Sequence, residues 1–185
     1  MKHITIKAIT LISILTILPI STLNSANAKR DVISQLKENN AQFSQILNAK
    51  SDPEILLDFL HNKIDDSADI TISVKNPQIN NAGAIEMKLT KADYINSYLY
   101  GPRQVKNYHA DIKTLNAKMD DETNTLNTKE ILTESGTMLN PHDYADPGRP
   151  YSSITACESQ YSVESGQPTL KKATCKTQIA YEEAV

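Results

Sequence analysis

Near residue 68 the apolar residues of this chain change their spacing, and that change limits the possible fold more than any other feature of the sequence. Upstream, Val32, Leu36, Phe43 and Leu47 share one helical face, with Ile33 and Ile46 beside it. The pattern predicts an amphipathic helix over 31–49. Asn39 and Asn40 weaken its middle, a local cost that packing can override. A second helix is predicted from Ser51-Asp52-Pro53-Glu54. Asp52 can cap it, Pro53 fits the first helical position, and Glu54 meets the positive end of the dipole. Ile55, Leu56, Phe59, Leu60 and Ile64 carry this helix to Asp65-Asp66. From Ala68 the period becomes two: Ala68, Ile70, Ile72 and Val74 alternate with Asp69, Thr71, Ser73 and Lys75, as in a half-buried strand.

Asn76-Pro77 and Asn80-Asn81-Ala82-Gly83 mark a connection, and Ile85, Met87 and Leu89 alternate after it, predicting a short hairpin. Thr90-Lys91-Ala92-Asp93 is a capping box with Asp in the place of Glu or Gln. It opens a third helix bearing Tyr94, Ile95, Tyr98 and Leu99, which Gly101-Pro102 stops. Long antiparallel strands are predicted over 104–118 and 123–139, joined by Asp120-Asp121-Glu122. Residues 140–150 hold three prolines and are read as a loop, and the last two strands span 151–163 and 169–182. The class is therefore α+β: three N-terminal helices with a short hairpin, then a mostly antiparallel sheet.

The turn Glu164-Ser165-Gly166-Gln167-Pro168 fixes the last hairpin. If it is centred on Gly166, Cys157 stands directly opposite Cys175. Opposed residues at a non-hydrogen-bonded position approach to about 4.5 Å between Cα atoms, close enough for a disulfide. A redox-active pair is disfavoured, because there is no Cys-x-x-Cys and no helix start beside either thiol to lower its pKa.

The first 28 residues read as an address. Met1-Lys2-His3 with Lys7 is basic, Ala8 to Ile20 is an uncharged, largely apolar stretch of 13 residues, and Ala26 and Ala28 supply the small residues of a signal-peptidase site. A retained anchor would need about 20 apolar residues, and Pro19 interrupts this stretch near its end. Cleavage is expected after Ala28, with a periplasmic or secreted destination in a bacterium and no membrane attachment afterwards. Removing 28 residues leaves a single domain, 29–185, of 157 residues. With Lys2 and Lys7 gone, 17 basic and 22 acidic residues give a net charge of −5. An oxidising compartment is where the Cys157–Cys175 pair should close.

Composition excludes some functions. The net charge of the whole chain is −3, whereas nucleic acid calls for an excess of Lys and Arg. Trp is absent and aromatics make up 5%, which argues against a base-stacking or sugar-stacking platform. No Ser-His-Asp triad, zinc spacing or Gly-rich phosphate loop is present, and no cofactor or metal is expected.

The order helix, helix, strand, strand, helix and four long strands resembles the nuclear transport factor 2-like superfamily, the SnoaL-like or cystatin-like α+β cone. Leu89-Thr90-Lys91-Ala92-Asp93-Tyr94-Ile95 resembles the entry into that family's third helix. The resemblance covers roughly residues 31–182. It implies a curved sheet folded around the helices with a pocket at its open end. Members include cyclases, isomerases, dehydratases and ligand-binding or assembly modules, so the fold does not name a function. No member's catalytic motif matches residue by residue.

The residues that could act in such a pocket are few. Tyr94 and Tyr98 lie four apart on the third helix and can touch a ligand, although core packing is the plainer use. On the strand from 104, Val105, Asn107, His109, Asp111, Lys113 and Leu115 share one face, and Tyr108, Ala110, Ile112 and Thr114 the other. The second set is more apolar and is expected to face the core, leaving His109 and Asp111 outside. Were the first face to line a cavity, His109 and Asp111 could serve as base and orienter. His142, Asp143 and Asp146 in the proline-rich loop lack a fourth ligand and are read as solvated. Two functions are consistent with these residues. One is an exported non-catalytic module for a small apolar ligand or a protein partner, with a homodimer through the sheet as one form. The other is an acid/base enzyme of isomerase, cyclase or dehydratase type acting on a small organic substrate.

Overall fold

A computed structural model describes residues 21–76, 83–139, 148–163 and 166–182, with side chains from residue 27. Three helices, α1 (Ser21–Asn48), α2 (Pro53–His61) and α3 (Lys91–Tyr100), pack on one face of a six-stranded sheet. Its strands are β1 (Ile64–Lys75), β2 (Ile85–Leu89), β3 (Val105–Asp120), β4 (Thr125–Met138), β5 (Arg149–Ser162) and β6 (Thr169–Tyr181). The order is β2-β1-β6-β5-β4-β3; β1 runs parallel to β6, and every other neighbouring pair is antiparallel.

The helices form for the reasons legible in their sequences. Val32, Leu36, Phe43 and Leu47, the predicted stripe of α1, are all buried. Asp52 caps α2 by accepting the Glu54 N–H at 3.0 Å. Thr90 and Asp93 form the expected capping box on α3. Gly101 ends α3 with right-handed dihedrals, φ −55°; it is glycine because a Cβ there would stand 2.7 Å from the Ser97 carbonyl oxygen. One helical expectation fails. Ile64 belongs to β1, not α2. The turn after His61 lets Lys63 accept the Leu170 N–H at 2.8 Å, and Ile64 is then drawn into the sheet opposite Leu170 and buried. An apolar residue four beyond Leu60 fits both periods, and the sheet's hydrogen bonds decide between them.

The disulfide is formed. Cys157 pairs with Cys175 at a Cα–Cα distance of 4.1 Å. Symmetry about Gly166 holds for the pairs from Tyr151↔Tyr181 to Gln160↔Lys172. The two pairs nearest the turn, Tyr161↔Leu170 and Ser162↔Thr169, are one residue short of it, and a bulge at Lys171 makes up the difference.

The core lies between the helices and the inner sheet face, with a smaller cluster of Val32, Leu36, Leu126 and Val163 at one end. Tyr108, Ala110, Ile112 and Thr114 of β3 point inward as expected. Val105 does too, against expectation, because Asn107 adopts φ +52° in a bulge that reverses the alternation before His109. Strand β3 is a sheet edge, and α1 closes it. Asn48 accepts the Ala110 N–H at 2.6 Å and donates to the Ala110 carbonyl at 2.9 Å; the Ile112 N–H donates to Ser44 Oγ at 3.1 Å. Polar side chains of a helix thus satisfy backbone groups that a bare edge would present to another chain.

Candidate functional site

Between the three helices and the inner sheet face lies a cavity of about 110 Å³. Phe43 on α1, Phe59 on α2, Tyr94 and Tyr98 on α3, and Tyr161 on β5 reach it, half of the ten Phe and Tyr residues in the chain. They hold one another in place. Phe43 stacks on Phe59 with ring centres 5.7 Å apart and makes a T-shaped contact with Tyr98 at 5.0 Å, and Tyr94 meets Tyr98 in a second T-shaped contact at 5.1 Å. Leu60, Ile72, Ile112, Leu132 and Leu170 complete the apolar wall, and the disulfide lies in its floor.

Among the described residues one carboxylate enters this apolar space. Glu130 of β4 is 8% exposed. Its Oε1 accepts the Asn40 side-chain amide at 2.7 Å, and its Oε2 accepts the Tyr161 hydroxyl at 2.8 Å. Asn40 also donates to Thr114 Oγ1 at 3.1 Å, tying the middle of α1 to β3. Tyr161 is held protonated well above the ordinary phenol range, first by burial, then by the charge and hydrogen bond of Glu130. The Tyr94 and Tyr98 hydroxyls are 3.4 Å apart; burial raises both, Tyr98 the more. Four residues along β4, about 13 Å away at strand spacing, Glu134 forms a second polar station. It accepts the Tyr108 hydroxyl at 2.6 Å and the Ser153 hydroxyl at 2.9 Å. Burial, then Glu134, pushes the Tyr108 and Tyr151 phenols up.

Of the residues singled out in the sequence, Tyr94 and Tyr98 stand at the cavity while also packing the core. His109 and Asp111 are elsewhere. They lie on the outer sheet face, where Asp111 pairs with Lys113 at 2.9 Å and His109 is exposed opposite Ser135. Neither reaches the cavity. Ala28 is exposed on α1. His142, Asp143 and Asp146 lie outside the described residues, and among the described residues no cluster of His, Cys, Asp and Glu could hold a metal ion. No helix of the described residues is long and apolar enough to cross a membrane.

Sequence reasoning missed Asn40, Glu130 and Glu134. A signal existed on β4. Leu126, Thr128, Glu130, Leu132 and Glu134 share one parity, so two carboxylates alternate on the face of two leucines. A carboxylate on the apolar face of a strand is the exception to look for. Asn40 carries a weaker one, a polar residue beside the apolar stripe of α1.

No family model matches the chain, and no curated protein does. Solved structures do. A putative scytalone dehydratase of Novosphingobium aromaticivorans superposes with a TM-score of 0.57 at 11% identity, covering 86% of this chain and 93% of that one. A protein of Kribbella flavida gives 0.54 at 9% identity, with 86% and 95% covered, and LinA gives 0.51 at 11% identity, with 90% and 95% covered. The chain has the nuclear transport factor 2-like cone fold. At such identities what is shared with these proteins is the fold, and the chemistry of the cone has to be read from its own lining. In this cone the described lining is mostly aromatic and aliphatic, with Glu130 set into one wall and Asn39, Asn40, Lys63, Thr155 and Ser159 as its other polar members.

Proposed function

We propose that the protein is an exported, non-catalytic binding module that holds a small, mostly apolar organic molecule inside the cone. The observation that carries this reading is the cavity itself: apolar walls for transfer free energy and one anchored carboxylate for orientation. Its volume of about 110 Å³ is of the order of the ~150 Å³ engineered cavity that takes up benzene, so the expected ligand has about one ring. Each Glu130 oxygen keeps an acceptor position beyond the donor it already has, and a ligand N–H or O–H can use it. Export is part of the same reading. It is supported by the basic, apolar and small-residue layout that ends at Ala28, and by a disulfide of the kind that periplasmic or secreted proteins keep. A protein partner or second copy has less support. The outer sheet face bears Lys113, Lys129, Glu158, Lys172 and Lys176, and its exposed Ile154 stands among polar neighbours.

One observation favours a second reading, an acid/base enzyme acting on a small organic substrate. Glu130 sits in an apolar cavity beside a tyrosine hydroxyl, an arrangement that can move a proton. On this reading Glu130 replaces His109 and Asp111 as the acting group.

The chain has no Trp, and three of its eight tyrosines line the cavity, so near-ultraviolet circular dichroism reports on the site. Cyclohexanol, which does not absorb there, should change that signal saturably. Ala173→Phe, which fills the floor, should remove the change. A signal that never saturates at millimolar cyclohexanol would sink the binding module. If a molecule recovered from the native protein is converted by wild type and not by Glu130→Gln, the enzyme reading takes its place.

A further inference from the structure

Resting on the reading of the cone as a binding cavity, we infer that its ligand is a small organic cation, an amine protonated at neutral pH with an apolar body of about one ring. The argument starts from charge. Glu130 is nine-tenths buried, and both of its oxygens act as acceptors, yet both donors, Asn40 and Tyr161, are neutral. The second carboxylate, Glu134, also takes its two described hydrogen bonds from neutral hydroxyls. Among the described residues no Lys or Arg is bonded to either. Buried carboxylates are ordinarily paired with a cation, because neutral hydrogen bonds offset only part of the cost of removing the charge from water. Among the described residues the inner face of the cone therefore carries negative charge without a counter-charge, and a ligand can supply one.

The walls agree with the charge. The rings of Phe43, Phe59, Tyr94 and Tyr98 border the same space as Glu130. Aromatic faces carry the negative end of the ring quadrupole and attract ammonium groups, most strongly where water is excluded. An ammonium is a donor only, which matches the spare acceptor positions of Glu130. Among the described residues the one basic side chain bordering the cavity is Lys63, whose ammonium turns to Gln167 Oε1 at 3.4 Å in an exposed bond. It stands at the rim and leaves the buried carboxylate unneutralised. An anionic ligand would meet Glu130 as a like charge. A neutral one would fill the space and leave the charge as it was.

Calorimetric titration of the purified protein with three one-ring probes tests this. Benzylamine should bind at least about tenfold more tightly than benzyl alcohol, its neutral isostere, since a charge-assisted hydrogen bond and cation–π contact are both gained, and benzoate should not bind. Glu130→Gln should bring benzylamine down to the level of benzyl alcohol. Phe59→Leu keeps an apolar wall without the ring and should weaken benzylamine more than benzyl alcohol; it serves as the second variant if Glu130→Gln does not fold. Equal affinity of the two probes for wild type, or tighter binding of the alcohol, overturns the cation inference and leaves the binding cavity standing. Failure of both probes to bind overturns the cavity reading and the inference with it.

Discussion

Removing the disulfide should cost the protein about 3–4 kcal/mol. The perturbation is the double variant Cys157→Ala/Cys175→Ala. The bridge closes a loop with a sequence separation of 18 residues. The chain-entropy relation gives about 3 kcal/mol for a loop of that size, through the freedom regained by the unfolded chain. A second contribution comes from packing. Cys175 is 2% exposed and lies in the cavity floor, so deleting two sulfurs loses buried contacts worth on the order of 1 kcal/mol. The backbone register should survive, since Cys157 and Cys175 stand in a row from Glu130 to Ile72 that ladder hydrogen bonds maintain without them. Urea unfolding followed by far-ultraviolet circular dichroism measures the loss. With a slope near 2 kcal/mol per molar urea, the midpoint should fall by about 1.5–2 M. A fall below about 0.5 M would refute the reasoning, because the bridge would then restrain neither the unfolded chain nor the floor.

Other perturbations separate the two faces of the sheet. Glu130→Ala should destabilise by about 2–4 kcal/mol, because the Asn40 amide and the Tyr161 hydroxyl lose a buried partner; thermal melts of this variant beside Tyr161→Phe would check it. His109→Ala and Asp111→Ala should each stay within about 0.5 kcal/mol of wild type, as exposed substitutions do; a loss of several kcal/mol in denaturant would mean that this face is covered. Tyr94, Tyr98, Tyr108, Tyr151 and Tyr161 all have raised pKa values in the folded protein, mainly through burial. Their contribution to stability is complete below the unfolded value of about 10 and is lost as pH rises toward the folded values. A titration of phenolate absorbance should therefore leave these five protonated near pH ~10 and release them together on alkaline unfolding; their smooth ionisation in the folded protein would contradict the burial.

Much of the fold was legible because its signals are local. The stripe of α1, the Asp52 cap, the Thr90–Asp93 box and the period of two after Ala68 need only a few neighbouring residues to be read. The Cys157–Cys175 pairing was legible for a similar reason, since a short turn sets a register, although the bulge at Lys171 shows that the count near the turn was off by one and was restored further along. What escaped was set by distant parts of the chain. Ile64 went to the sheet because Leu170 claims the backbone beside it, and the parallel pairing of β1 with β6 joins segments about a hundred residues apart. Bulges at Asn107 and after Thr114 reset which side chains of β3 point inward, and no residue pattern marked them. The site was half visible. Tyr94 and Tyr98 sit where helical spacing puts them, and His109 and Asp111 lie on the outer face, as the alternation of β3 predicts. Glu130 and Asn40 meet only because α1 crosses β4, and their chemistry comes from that burial.

The most direct measurement is a methyl nuclear magnetic resonance titration of Ile- and Leu-labelled protein with toluene, which asks where an apolar molecule goes. If the cone cavity is the binding site, shifts should saturate and concentrate on Leu60, Ile72, Ile112, Leu132 and Leu170 in its wall. Exposed Ile55, Ile85 and Ile154 should stay in place. Shifts confined to those exposed residues, or no saturation at any wall methyl, would contradict the account.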